Sequence, residues 1–381
     1  MKFSLKFALA FYLFSLCISL TATASAQTSN INSVASPTSA KLNSVCIVNN
    51  GTEVANDLQM LNAWAVGDGG AIAMWDGSSW TTVTSPTSMN LYSVVFSSPT
   101  NGWAVGGDDN TGIILYYNGT WMEWKTISFN SDANGTDSIN GTLYDITISS
   151  DGMTGWAVGA NGIVLGWDGC TWYGFPDVST STLYSVGMLH GSMDAWVVGE
   201  AGTILHWDGV TWTTMTSNTV HPLYTIGVLN GSFALAGGGS GSEGIVLMMN
   251  QSGWSPITSF RFGGGSRELT TSLNATVNSI TLSNATSGWA CGDTGLTMYW
   301  TGSEWACDFY PASSNLNGIS MIHGGSAIQA WAVGDSGVIV AFNGSNWVPE
   351  FPVIAVPVLL TIGLVATIFA KTRLFKKSIP L

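Results

Sequence analysis

Charge is what this chain has least of. Only 9% of its 381 residues are Asp, Glu, Lys or Arg, against about a quarter in an ordinary soluble domain. Positive charge is scarcer still, with ten Lys and Arg against 23 Asp and Glu. Between residues 27 and 352 only Lys41, Lys125, Arg261 and Arg267 oppose all of the acidic residues. A field of that sign excludes nucleic acid and anionic lipid as partners. Ser, Thr, Asn and Gly are left to make the polar surface. Cysteine is equally sparse. Beyond Cys17 there are Cys46, Cys170, Cys291 and Cys307, which show no metal-ligand spacing. Outside the cell they are free to pair, in any of three ways, and the sequence does not choose among them. Neither a nucleophile motif nor a phosphate loop is present.

What is there begins at the ends. Lys2 and Lys6 precede an apolar run from Phe7 to Leu20, followed by the small-x-small pattern Ala24-Ser25-Ala26. Residues 1–26 therefore read as a secretory signal peptide. Residues 353–370 are uncharged and mostly aliphatic. At about 1.5 Å per residue they reach roughly 27 Å, the length of one transmembrane helix in a thin bilayer. Lys371, Arg373, Lys376 and Lys377 follow at once, which predicts a cytoplasmic tail over 371–381 and a body outside the cell. Nine Asn-x-Ser/Thr sequons lie at Asn50, Asn118, Asn134, Asn140, Asn230, Asn250, Asn274, Asn284 and Asn343. In an exported protein they are glycosylation candidates.

The body, residues 27–348, is repetitive. One unit runs from Leu91-Tyr92-Ser93-Val94 through Gly102-Trp103-Ala104-Val105-Gly106 and Ile113-Ile114-Leu115 to Asn118-Gly119-Thr120-Trp121. The first element recurs at Leu42, Leu143, Leu183, Leu223, Val277 and Leu316. The tryptophan of the second recurs at Trp64, Trp156, Trp196, Trp289 and Trp331, with Ala234-Leu235-Ala236-Gly237 read as a degenerate copy. Seven units of about 40 residues, each with four short β-rich runs between Gly, Asp and Asn turns, predict an all-β, seven-bladed propeller. The final unit breaks off at Trp347-Val348-Pro349, short of a full fourth strand. The segment before the first unit, Ser33 to Val45, aligns without gaps to Thr82–Val94. Residues near Ile31 to Ser36 are thus expected to supply that strand, beside Val338–Phe342, and to close the ring. Repeat-equivalent tryptophans are expected to pack between blades.

The Gly-Trp-Ala-Val-Gly runs and Asp-Gly-x-x-Trp turns resemble the propeller repeats of the photosystem II assembly and stability factor family, and the wider Asp-box, sialidase-like repeats. The full Asp-box spaces its aspartate and glycine differently. The resemblance covers about residues 31–348 and implies protein binding during assembly of a membrane complex. At the other end, Pro349-Glu350-Phe351-Pro352 (349–352), the apolar span and the basic cluster resemble the PEF-CTERM signal of archaeal surface proteins. That implies processing by an archaeosortase and transfer to another cell-surface anchor.

Up-and-down blades put the connectors between blades (D–A) and the B–C turns on one face, and the A–B and C–D turns on the other. Six sequons, Asn50, Asn118, Asn230, Asn250, Asn284 and Asn343, fall on the second face. The first face carries two long D–A insertions, near Ser128–Gly141 and Ser259–Thr276. It also carries an acid just after the tryptophan element in four blades: Asp68, Glu200, Asp293 and Asp335. Long loops on a rigid scaffold commonly bind ligands. This face is therefore the expected recognition face, its acids suited to a cation or a basic ligand and Phe260, Arg261, Phe262 and Arg267 serving as an anchor. No cofactor is expected beyond a structural cation. The expected function is a non-catalytic binding or structural module for an extracellular protein or glycan. An assembly factor and a glycan-cleaving hydrolase of sialidase-like fold are the alternatives. Against the hydrolase, the body has two arginines where a sialidase grips a carboxylate with three.

Overall fold

The computed structural model of the chain describes residues 31–48, 62–128, 138–176, 178–189, 192–262, 268–309, 314–321 and 330–342. The expected signal peptide, sorting motif, transmembrane span and tail lie outside these residues. Among the described residues no helix is long and apolar enough to cross a membrane.

The strands form seven sheets, and the fold is a seven-bladed β-propeller. Blade 4 shows the pattern. Strands A (Leu183–Met188), B (Ala195–Gly199), C (Ile204–Trp207) and D (Trp212–Thr214) pair antiparallel in chain order. Asp-Gly turns close the C–D hairpins of blades 1, 3 and 4 for a local reason. The Oδ1 of Asp208 accepts from the backbone N–H groups of Val210 and Thr211, both at 2.9 Å. Gly209 takes φ of 98°, which a side chain would resist. Asp76 and Asp168 do the same in blades 1 and 3.

Ring closure occurs where the sequence places it, beside Val338–Phe342. Ile31–Val34 pairs antiparallel with Ile339–Phe342, with Ile31 opposite Phe342 and Val34 opposite Ile339. The N-terminal strand is therefore the fourth strand of blade 7.

Among the described residues there is no central core. The buried apolar residues fall into seven clusters, one at each junction between blades. In six blades the strand-B tryptophan reaches across the junction to the next blade. Trp156 of blade 3 is fully buried, with Trp207 and Trp212 of blade 4 at ring-centroid distances of 5.5 and 5.0 Å. Trp103 meets Trp167 and Trp172, and Trp331 meets Trp75 and Trp80, across their own junctions. Blade 5 alone lacks the tryptophan. Leu235 takes its place, and Phe260 joins Leu235, Trp300 and Trp305 in that cluster.

The glycine that ends the tryptophan element is dictated by a close approach. At Gly67, Gly106, Gly159, Gly199, Gly238, Gly292 and Gly334, an added Cβ would overlap the carbonyl oxygen of the residue that precedes or opens strand A. That carbonyl accepts the next backbone N–H, as Thr182 does from Glu200 at 2.9 Å and Pro222 from Gly239 at 3.0 Å. In blade 5 the glycine under this constraint is Gly238. The degenerate copy is therefore Leu235–Gly238, one residue later than the sequence alignment places it.

Candidate functional site

The seven A strands line the axis, each contacting the A strands of its two neighbours. Their first residues, Leu or Val, are fully buried. The second and third residues give the axial end of the D–A/B–C face its chemistry.

The third position forms a girdle of hydroxyls. Ser44, Thr225 and Ser279 each accept a backbone N–H from the next blade's A strand, from Val94, Ile280 and Ile319 at 3.3, 2.9 and 3.2 Å. In blade 3 this position is Asp145. Its Oδ1 accepts from the Ser93 hydroxyl (2.7 Å) and the Ile146 N–H (2.9 Å), and its Oδ2 from the Ser185 hydroxyl (2.7 Å) and the Val186 N–H (2.9 Å). Burial pushes this carboxyl above the ordinary range, although all four hydrogen bonds pull it down. Sequence reasoning placed the acids in turns and missed this one, which lies in a strand. Its signal was there: it is a carboxyl where the equivalent residues of five blades are Ser or Thr.

The second position divides the ring in two. In blades 2 to 5 it is Tyr92, Tyr144, Tyr184 and Tyr224, all half-buried. Their rings form one continuous arc, with successive centroids 5.2, 5.6 and 5.0 Å apart. Burial raises the phenol pKa of Tyr144, Tyr184 and Tyr224. Nearby carboxylates push the same way: Asp109 on Tyr144, Glu200 on Tyr184 and Asp293 on Tyr224.

In blades 1, 6 and 7 the second position is asparagine. Asn43 Nδ2 donates to Asp68 Oδ1 and to the Leu91 carbonyl of blade 2, both at 2.9 Å. Asn278 joins Asp293 to Leu316, and Asn317 joins Asp335 to Leu42, in the same manner. Three consecutive junctions are thus stapled by an acid, an amide and a neighbouring carbonyl. Asp335 also accepts from Asn315 at 3.0 Å, and Lys41 Nζ stands 3.9 Å from it.

The sequence-predicted residues sort as follows. Asp68, Glu200, Asp293 and Asp335 share the axial rim. Each opens a short 3-10 turn between strands B and C. The Phe/Arg segment is elsewhere. Phe260–Phe262 is not a connector loop but a strand. It runs parallel to strand D of blade 6 on that blade's outer edge, and Glu268–Thr270 pairs antiparallel beyond it. Phe260 is buried at 2% exposure. Arg261 holds Glu304 through Nε–Oε1 (2.7 Å) and Nη2–Oε2 (2.8 Å). Phe262 packs partly buried against the same cluster. The other long insertion begins alike, with Ile127–Ser128 parallel to strand D of blade 3. An uncovered strand edge beside an apolar junction favours such an addition, and periodicity could not reveal it. Arg267 lies outside the described residues.

Of the sequons, Asn118, Asn230, Asn250 and Asn284 sit exposed at turns of the opposite face, and Asn140 and Asn274 are exposed on D–A connectors. Asn50, Asn134 and Asn343 lie outside the described residues, as do Pro349, Glu350, Phe351 and Pro352. Among the described residues no three His, Cys, Asp or Glu side chains converge as metal ligands would. Cys46 is half-buried and Cys170 exposed, while Cys291 and Cys307 are buried.

The architecture belongs to the class of seven-bladed propellers, and comparison with solved structures agrees. The chain is similar to YCF48 bound to D1 peptide, at 14% identity and a TM-score of 0.59, over 84% of this chain and 96% of that one. It is similar to YCF48 from Cyanidioschyzon merolae at 14% identity and a TM-score of 0.55, covering 82% and 98% of the two chains. It is also similar to U3-55K at 10% identity and a TM-score of 0.56, covering 82% and 98%. At these identities the likeness is one of fold. No family model and no curated protein matches the sequence.

Proposed function

We propose that this chain is a non-catalytic binding module, exported and anchored at the cell surface through its C-terminus, which holds a protein or glycan partner on the D–A/B–C face at the axial mouth. The observation that carries the reading is the second position of strand A. Four half-buried tyrosines stand there in an unbroken arc, beside three blades of carboxylates. Tyrosine supplies a large, rigid contact area at low entropic cost. The repeat does not need it, since asparagine serves the same position in the other blades. Four of the six described sequons, Asn118, Asn230, Asn250 and Asn284, favour the same orientation, because glycans there would lie on the opposite face, while Asn140 and Asn274 sit on D–A connectors.

Absence of catalysis is part of the proposal. The C–D turn aspartates Asp76, Asp168 and Asp208 serve their own hairpins, and Asp145 accepts four hydrogen bonds within the girdle. A second reading, assembly factor for a membrane complex, is favoured by one finding: a neighbour of the same fold has been captured with a D1 peptide. Co-purification with an unassembled intermediate would single it out.

The test is site-specific photocrosslinking of the full-length protein in cells. A benzoyl-phenylalanine at Tyr184 is expected to give adducts with an envelope protein or glycoconjugate, and the same probe at Asn118 far fewer. Adducts from Asn118 alone would move the site to the other face.

A further inference from the structure

We infer that the axial mouth takes a basic, extended peptide segment of the partner, with Lys or Arg side chains lying across the tyrosine arc of blades 2 to 5 and meeting the carboxylates of blades 6, 7 and 1. The inference deepens the reading of this face as the recognition surface and rests on it.

The aromatic half comes first. The faces of Tyr92, Tyr144, Tyr184 and Tyr224 carry negative quadrupole density, which attracts ammonium and guanidinium groups. The aliphatic stems of Lys and Arg pack along the same rings. Four rings, each 5.0–5.6 Å from the next, make a longer track than one side chain covers. The occupant is therefore a series of cations on a chain rather than a single amine.

Charge complementarity selects the sign. Glu200 and Asp293 act on the phenols of Tyr184 and Tyr224, and Asp109 on that of Tyr144. Asp68, Asp293 and Asp335 line the remaining rim, held in place by the amides of Asn43, Asn278 and Asn317. Lys41 beside Asp335 is the one described lysine or arginine in this group. An acidic peptide would meet five or more like charges. A neutral sugar could stack on the rings but would gain nothing from the field, which acts over the whole body because only four basic residues oppose its acids.

The test uses the purified full-length protein and three fluorescent probe peptides, alternating serine with lysine, glutamate or glutamine, together with a neutral hexasaccharide. The lysine peptide should bind at least tenfold more tightly than the glutamine peptide, about 1.4 kcal/mol, and should weaken as salt rises. Asp68→Asn/Asp293→Asn/Asp335→Asn keeps one acceptor oxygen on each side chain for its strand-A amide, leaves the Asn315 amide without its Asp335 acceptor, and removes three charges. It should cost tenfold or more, as should Tyr184→Ala/Tyr224→Ala, while Asn118→Gln should change nothing. If the triple variant fails to fold by near-ultraviolet circular dichroism, single Asp68→Asn, at a carboxylate that accepts from the Asn43 amide through Oδ1, together with the salt dependence decides. Preference for the glutamate peptide or the sugar, lost in the tyrosine variant, would overturn the inference and leave the recognition face standing. Lysine-peptide binding that no mouth substitution alters would overturn both.

Discussion

Asp145 stands where the equivalent residues of five blades are serine or threonine, and this one substitution couples the girdle to pH. Burial raises its folded-state pKa above the unfolded value of about 4. Below that range both states are protonated and the residue adds no pH dependence to stability. As pH rises through the window between the unfolded and folded values, the unfolded chain loses its proton first, so stability falls. Asp145→Ser restores the repeat's own hydroxyl, which can accept the Val186 N–H. The variant should melt above the wild type at neutral pH, with the difference shrinking as pH drops through the carboxylate range. Thermal denaturation across pH reads this directly. A difference that grows in acid would show that the four hydrogen bonds outweigh burial. Residue identity at this position was legible in the repeat. Its consequence was not, because the donors Ser93, Ser185 and Val186 come from blades 2 and 4.

At the scale of the blade, the structure is a set of sheets that cannot stand alone. Each presents an apolar face that only its neighbour covers, and the strand-B tryptophan is the main filling. Trp156→Ala would leave a cavity bounded by Trp207 and Trp212 and orphan the Met193 carbonyl, which now accepts the indole N–H at 3.2 Å. The expected cost is about 3–5 kcal/mol in chemical denaturation. A cost below about 1 kcal/mol would mean that the junction collapses to fill the gap. The tryptophans, the Asp-Gly turns and the four-run unit were readable because each rests on local periodicity or turn chemistry. The outer strands Ile127–Ser128 and Phe260–Phe262 were not. They were read as loops because both follow a completed blade and add in parallel to the next one. That pairing depends on a free edge which exists only once the ring is assembled.

For the whole molecule, closure is the decisive event, and it joins residues more than 300 positions apart in sequence. Deleting residues 31–36 would remove the outer strand of blade 7, bare the Ile339–Phe342 edge and uncover Trp75, Trp80 and Trp331, against which Val34 packs. The truncated protein should melt earlier, lose cooperativity and aggregate on heating. An unchanged melting curve would show that the ring holds without its clasp. Light scattering during the melt separates the two outcomes.

The sequence by itself determined the number of blades, the order of strands within them and the strand that clasps the ring. All of these follow from a pattern repeated seven times, in which every copy supports the reading of the others. Only the tertiary structure decided what the axial mouth is made of. The second residue of strand A varies between tyrosine and asparagine, so no repeat signal marked it. A tyrosine has chemical meaning there only when three others, from blades distant in the chain, stand about 5 Å from one another around the axis. The same holds for Arg261, which is half-buried and held by Glu304 in the folded chain.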